Sequence, residues 1–205
     1  MFVRLWMTEN PLTVGPKERL GKVKELMEIN EIRRIPVVQE GNLLGLVTEG
    51  DLRILPPERL MSPASEIMVT EVLTISPYAP LEDAVHIMRS NKVGSLPVVH
   101  EEKLVGIITD SDLFHAIETF MEAGADSARL TFDLEGSKTA LVLLGKLVEE
   151  FDLEVDNLVL HRRMANPGRK IAAMRVRGDR VEEFVERLWT DGYRVLQVEI
   201  PHPHP

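Results

Sequence analysis

Cysteine is absent from the sequence. Disulfides, thiolate zinc sites, iron–sulfur clusters and cysteine nucleophiles are therefore excluded. The absence also fits a cytoplasmic protein, which is the location expected here. Aromatic residues make up only 5% of the chain, too few to expect a platform for stacking single-stranded bases. No apolar run approaches the ~18–20 residues of a membrane span. The longest candidate, 140–148, is short and contains Lys146. The opening residues Met1-Phe2-Val3-Arg4-Leu5-Trp6 lack the long apolar core and small-residue cleavage site of a signal peptide. Positive charge is also in deficit: 24 Lys and Arg stand against 33 Asp and Glu, for a net charge of −9. Phosphate backbones are held mainly by basic side chains, so nucleic acid is not an expected partner.

Catalytic signatures are missing as well. The six histidines (His86, His100, His115, His161, His202 and His204) fall into no metal-ligand spacing. There is no nucleophile elbow and no phosphate-binding P-loop. Asp112 and His115 lie three apart at a helix start and could face one cleft, but a helix-surface pair is the commoner reading of that spacing. The chain is therefore not expected to be an enzyme.

What is present is a folded composition, 44% hydrophobic and 28% charged over 205 residues, and a repeat. Shifted by 61 positions, residues 7–52 lie over 68–113 without a gap, and 16 of 46 pairs are identical. Chance would give roughly three. The identities include Met7/Met68, Leu12/Leu73, Thr13/Thr74, Leu20/Leu81 and Met27/Met88. Pro36-Val37-Val38 lies over Pro97-Val98-Val99, Gly45 over Gly106, Thr48 over Thr109, and Asp51-Leu52 over Asp112-Leu113.

Each copy reads β-α-β-β-α. Thr13-Val14 and Thr74-Ile75 are short extended pieces. Leu20, Val23, Leu26 and Met27 recur at helical spacing, as do Leu81, Ala84, Val85 and Met88. The runs 35–38 and 96–99 are β-branched strands, followed by turns and second strands at 43–47 and 104–108. A second helix opens near Thr48 and Thr109; the later one is expected over 111–123 with Gly124 as its stop. The stretch 55–63 reads as the joint between copies. The methionines Met7, Met27, Met61, Met68 and Met88 read as packing residues.

The segments Thr48-Glu49-Gly50-Asp51 and Thr109-Asp110-Ser111-Asp112 follow a strand and open a helix. One reading is a capping box, with the acid reaching back to the Thr. The other is a ligand site: a helix start offers N–H groups and a positive dipole end to phosphate, and a carboxylate can accept from a ribose diol.

Two in-register copies with these motifs resemble a tandem pair of cystathionine-β-synthase (CBS) domains, over roughly residues 1–123. The resemblance implies an adenosine nucleotide in the clefts between repeats, with Asp51 and Asp112 on the ribose and Thr48 and Thr109 near phosphate or ribose. It also implies contacts from Thr13 and Thr74 and from the residues leading into the Pro-Val-Val strands. Those are Ile32, Arg33 and Arg34 in copy one, and Val93, Gly94 and Ser95 in copy two. Arg33 and Arg34 are forked donors suited to phosphate, or else a solvated surface pair. Gly94 and Ser95 carry no charge, so the two sites should be unequal. The basic residue frequent inside the family's Thr-x-x-Asp motif is absent from both copies. This weakens the case for polyphosphates and favours AMP.

The last third reads as β-α-β-β-α-β, the ferredoxin-like split unit. Strands are expected at 128–134, 157–161, 171–176 and 193–200, and helices at 137–151 and 181–190. Asn166-Pro167-Gly168 reads as the hairpin turn and Asp191-Gly192 as a helix stop. This third resembles an ACT domain. Its loop Asp133-Leu134-Glu135-Gly136 keeps the Asp and Gly of the usual Asp-x-Pro-Gly but has Glu135 for the proline. The resemblance implies an amino-acid contact by Asp133, Glu135, Gly136 and Ser137, or pure dimerisation. His161-Arg162-Arg163, Arg169-Lys170, Arg175 and Arg177 gather on the central hairpin. They fit an edge blunted by charge better than an anion-binding surface.

The expected fold is thus α+β: CBS domain 1 at 1–58, CBS domain 2 at 59–123, an ACT-like domain at 128–200 and a tail at 201–205. The whole arrangement resembles the acetoin-utilization protein B group. It implies a homodimeric regulatory sensor of an adenosine nucleotide, acting on a target enzyme that the sequence does not name. A constitutive scaffold with degenerate sites, and an amino-acid sensor working through the ACT-like part, are the alternatives.

Overall fold

The computed structural model describes residues 1–121, 127–134, 139–163 and 166–200. The chain divides into two compact units, Met1–Ile117 and Glu118–Pro205.

In the first unit, α1 (Leu20–Ile29) and α3 (Leu81–Asn91) occupy equivalent places in the two copies. The hairpin β2 (Arg34–Gln39)/β3 (Asn42–Thr48) corresponds to β4 (Ser95–His100)/β5 (Lys103–Thr109). Both hairpins turn through two left-handed residues: Glu40 and Gly41 in one, Glu101 and Glu102 in the other. That backbone matches the strands' right-handed twist. Both also carry an irregularity at the same place, Val37/Val38 and Val98/Val99. The extended pieces pair as expected, Val14 alongside Val37 and Ile75 alongside Val98, both parallel.

The two copies also exchange their leading segments. The two-residue strand β1 (Thr8–Glu9), at the start of copy one, pairs with β5 of copy two. Val69, at the start of copy two, bridges Leu46 in β3 of copy one. The exchange explains the repeated glycines. A Cβ on Gly45 would lie 2.7 Å from the Val69 carbonyl oxygen, and one on Gly106 would lie 2.6 Å from the Met7 sulfur and 3.0 Å from the Thr8 carbonyl oxygen. The hairpins meet directly at Asn42 and Lys103, where the Lys103 ammonium donates to the Glu40 carbonyl at 2.6 Å.

Leu20, Val23 and Met27 of α1 pack with Ile35, Val37, Val47 and Leu52 into one buried cluster. In copy two the buried helix positions are Leu81, Ala84 and Met88. Val85 was expected on that face but is exposed. The stripe 81/84/88 is narrow, and Val85 lies about 100° round the helix from Ala84. Met61, expected to pack, is exposed in the 3-10 turn Pro57–Met61 that joins the copies. The helix α2 spans only Glu49–Arg53, ahead of Pro56 and Pro57, which cannot continue its hydrogen bonding. Its counterpart α4 is longer, Asp110–Met121; it starts one residue before the expected position, and Gly124 lies outside the described residues.

The second unit runs β6 (Ala128–Asp133), α5 (Ala140–Glu150), β7 (Glu154–Arg163), β8 (Asn166–Arg177), α6 (Val181–Thr190) and β9 (Arg194–Glu199). Its antiparallel sheet is ordered β7-β8-β6-β9, so β7 and β9 are edges. Leu144 and Leu147 of α5 and Val181, Phe184, Val185 and Leu188 of α6 close one face against Leu130, Phe132, Ala172, Met174 and Val176. Leu141, expected in the α5 stripe, is exposed. Leu144 and Leu147 form the contact line, and Leu141 sits a turn earlier near the helix start.

Asn166, Pro167 and Gly168 fall within β8 rather than in a turn: after a register shift that skips 167–169, the ladder with β7 resumes at Arg163 opposite Asn166. Arg177 forks onto Asp156 at 2.6 and 2.9 Å and reaches Glu154 at 3.3 Å, so part of the basic hairpin is neutralised locally. Gly192, left-handed, follows α6 as expected. The tail 201–205 lies outside the described residues.

Candidate ligand clefts between the repeats

Each cleft is built by the same local steps. The first helix of each copy ends on a left-handed residue, Glu31 or Lys92, although neither is glycine. The next amide closes the helix, Ile32 onto the Met27 carbonyl and Val93 onto the Met88 carbonyl, both at 3.0 Å. This turn delivers 32–34 and 93–95 to the start of β2 and β4.

The helix starts show that the capping box is real. Thr48 N–H and Oγ1 donate to Asp51 Oδ2 at 2.9 and 2.7 Å, and Asp51 N–H returns to Thr48 Oγ1 at 3.3 Å. The corresponding distances for Thr109 and Asp112 are 2.7, 2.8 and 3.3 Å. All the donations to each Asp fall on Oδ2. The helix-start amides are largely spent. Glu49 N–H donates to the Arg33 carbonyl and Asp110 N–H to the Gly94 carbonyl. Ser111 N–H donates to Asp110 Oδ1. The N–H groups expected to greet a phosphate are thus mostly satisfied from within, and anion binding there depends on side chains.

Two cavities flank this centre. One, of about 450 Å³, is bordered by Thr109, Asp110 and Asp112 on one side and by Ile32, Arg33 and Arg34 on the other, with Pro11 and Leu12 as apolar wall. The second, of about 420 Å³, combines Thr48 and Glu49 with Val93, Gly94 and Ser95, and with Val69, Glu71 and Leu73. Each therefore joins the Thr-x-x-Asp start of one copy to the strand lead-in of the other. Arg33 and Arg34 border both. A Cβ on Gly94 would sit 2.2 Å from Arg34 Nη2 and 3.2 Å from Asp110 Oδ2. The missing side chain at Gly94 thus makes room for the Arg34 guanidinium.

Several sequence-predicted residues fall elsewhere. Thr13 and Thr74 border neither cleft; their neighbours Leu12 and Leu73 do, and their identity in the repeat was the signal available. Asp51 is held in its cap and does not line the second cavity. Lys92, which the sequence reading passed over, contributes a cation there. His115 meets the Trp6 ring edge-to-face, with centroids 6.0 Å apart. In the second unit, Asp133 is buried at the end of β6, while Glu135, Gly136 and Ser137 lie outside the described residues. Among the described residues no group of three or more His, Asp or Glu could hold a metal ion, and no helix is long and apolar enough to cross a membrane.

Comparison with known proteins agrees with the paired architecture. The CBS domain family matches residues 3–57 and 64–119, more than half of the chain. The CBS domain-containing protein YhcV of Bacillus subtilis is 33% identical over 125 residues, which cover 60% of this chain and 88% of that protein. An inosine-5'-monophosphate dehydrogenase of Aquifex aeolicus is 38% identical over 110 residues, but these span only 22% of that enzyme. Among solved structures, a Vibrio cholerae protein assigned to acetoin utilization (AcuB) superposes with a TM-score of 0.56 at 35% identity, covering 59% of this chain and 93% of that one. CBSX2 in complex with AMP superposes with a TM-score of 0.55 at 26% identity, covering 59% and 98%. With two matched copies in sequence and a paired, exchanged arrangement in structure, the chain belongs to the CBS-domain family, as a tandem pair.

Proposed function

We propose that this protein is a non-catalytic sensor that binds an adenosine nucleotide, AMP in preference, in the clefts between its CBS repeats. The observation that carries the reading is the cross-assembled cleft. A carboxylate fixed by its own cap faces a pair of arginines from the other copy, beside an apolar wall. Asp112 Oδ1 is left to accept from a ribose hydroxyl while Oδ2 holds the helix start. Arg33 and Arg34 supply forked donors for one phosphate, and Leu12 offers a flat apolar contact to a base. A relative of 26% identity was solved with AMP, which supports the choice of ligand. Both clefts share Arg33 and Arg34, but only the first has the aspartate of its Thr-x-x-Asp start, Asp112, on its wall, which supports unequal affinities in the two clefts. Isothermal titration of the full chain with AMP, ADP, ATP and adenosylmethionine tests this. Saturable AMP binding is expected; no heat with any of the four overturns it.

The remaining parts of the reading follow the same resemblance. Residues 1–58 and 59–123 form the two CBS domains, and 128–200 form an ACT-like domain whose loop at 133–137 takes an amino acid or serves dimerisation. The protein acts in the cytoplasm as a homodimer on a target enzyme, and its likeness to the Vibrio cholerae protein supports a link to acetoin utilization. Nucleotide binding regulates only through different affinities for two states of the protein.

A further inference from the structure

The helix-free face of the second unit's sheet carries a charge pattern that the nucleotide reading leaves unused. Strand register lays out its side chains in rows. One row runs Asn157 on β7, Arg175 on β8, Arg129 on β6 and Glu199 on β9. The next runs Val159, Ala173, Thr131 and Gln197. Residues directly opposite across antiparallel strands share a face. The alternate positions Leu130, Met174 and Val176 are buried beneath the helices, so both rows lie on the other side.

Two guanidinium-bearing residues thus stand directly opposite each other on the two inner strands. Like charges so placed repel. Charge on a sheet commonly blunts an exposed edge, but β8 is flanked by β7 and β6, and β6 by β8 and β9. Arg175 and Arg129 therefore blunt no edge. Both are partly buried, and among the described residues neither has a hydrogen bond or an ion pair. The acids nearby are engaged elsewhere. Glu199 accepts from Gln197 Nε2 at 2.6 Å, and Asp156 and Glu154 are held by Arg177. Asp133 lies four residues further along β6, about 13 Å away at ~3.3 Å per residue.

We infer that Arg129 and Arg175 hold a phosphate group between them, as the free ion or as a monoester on a small metabolite. Two fixed positive charges match a group that carries about −1.5 to −2 near pH 7. Its oxygens can be shared by two planar forks, whereas a carboxylate offers one charge and two oxygens. Asn157 and Thr131 add neutral donors at the margin, and Ala173 keeps the floor beside the pair low. The ligand is compact rather than polymeric. Glu154, Asp156 and Glu199 stand to either side and the chain carries −9, so an extended polyanion such as nucleic acid is repelled. The site shares no residue with the clefts of the first unit and stands or falls apart from the nucleotide reading.

Side-chain 1H–15N spectra of the full chain read both guanidiniums directly, with R129K and R175K assigning the two Nε–H signals. Inorganic phosphate is titrated at constant ionic strength held with chloride. Both signals should move together and saturate along one curve. R175Q should weaken the response at Arg129 about 10- to 150-fold, the loss of one charge-assisted contact, and R129Q should do the same at Arg175. Circular dichroism confirms the fold of each variant. Methyl phosphate, titrated alongside, separates the two sources: tighter binding than inorganic phosphate assigns a phosphorylated metabolite, weaker binding the free ion. The proposal is overturned if neither signal saturates, or if each responds equally with and without the other arginine, which leaves a diffuse ion atmosphere only. A response to a DNA duplex but not to phosphate overturns it as well.

Discussion

Replacing Asp112 by alanine separates the two roles that its position allows. The carboxylate holds the helix start through Oδ2, taking Thr109 N–H at 2.7 Å and Thr109 Oγ1 at 2.8 Å. Loss of a helix-start capping interaction costs about 0.5–2 kcal/mol of stability. If Oδ1 also accepts from a ribose hydroxyl, the same change removes a hydrogen bond to a charged group, worth about 1.5–3 kcal/mol. At 1.4 kcal/mol per decade this weakens AMP binding roughly 10- to 150-fold. Asp112→Asn keeps an oxygen that can accept from the Thr109 amide, but without the charge. Its stability should fall less than that of D112A, while its affinity should still drop by about the difference between a charged and a neutral hydrogen bond, ~1 kcal/mol or roughly fivefold. Denaturant unfolding and calorimetric titration, run on both variants under the same conditions, provide the two readouts. If D112A loses stability but binds AMP as the parent does, the motif is a helix cap only, and the ribose assignment is refuted.

Arg34→Ala should weaken AMP about 10- to 150-fold by removing a charge-assisted phosphate contact, and leave phosphate-free adenosine within about twofold; equal losses for both ligands in calorimetry would show that Arg34 only shapes the cleft. Gly45→Ala should cost about 1–3 kcal/mol, because the new Cβ meets the Val69 carbonyl at 2.7 Å, whereas Gly15→Ala, with nothing within 4 Å of its Cβ, should stay within about 0.5 kcal/mol; urea midpoints compare the two. Glu183 has a carboxyl pKa held below its ordinary value chiefly by the hydrogen bond from Arg180. A depressed carboxyl stabilises the fold above its unfolded pKa and loses that contribution as pH falls through the folded value; E183Q should therefore show a shallower acid limb in a stability–pH profile.

The duplication, both hairpins and the positions of the six α-helices were readable because they rest on local patterns: a gapless 61-residue offset, helical spacing of Leu20, Val23 and Met27, and paired Pro-Val-Val strands. The exchange of leading segments was not readable. Thr8 and Ile107 meet across almost the whole first unit, and a two-residue strand such as β1 has no periodicity to detect. The same non-local sorting hid which lead-in faces which helix start. Arg33 and Arg34 turned out to border both clefts, and only three-dimensional proximity could show this. At Asn166-Pro167-Gly168 the local turn signal marks an irregularity within β8, across which the β7–β8 ladder shifts register and resumes at Asn166. Val85 and Leu141 show that helical spacing marks a face more broadly than the contact line that is buried.

The exchange has a kinetic consequence. A strand pairing that closes a chain segment of about 100 residues carries a loop-closure cost that grows with the logarithm of length. High sequence separation of this kind slows folding. The local hairpins, closed by two-residue turns, are therefore expected to precede the seam formed by Thr8–Glu9 on β5, whereas Val69 on β3 closes a much shorter segment. Gly45 and Gly106 hold open the slots that Val69 and the Met7–Thr8 stretch occupy. The two repeats thus complete each other, the longer exchange last, and interruption between them would leave each hairpin lacking a segment that only the other copy's lead can supply.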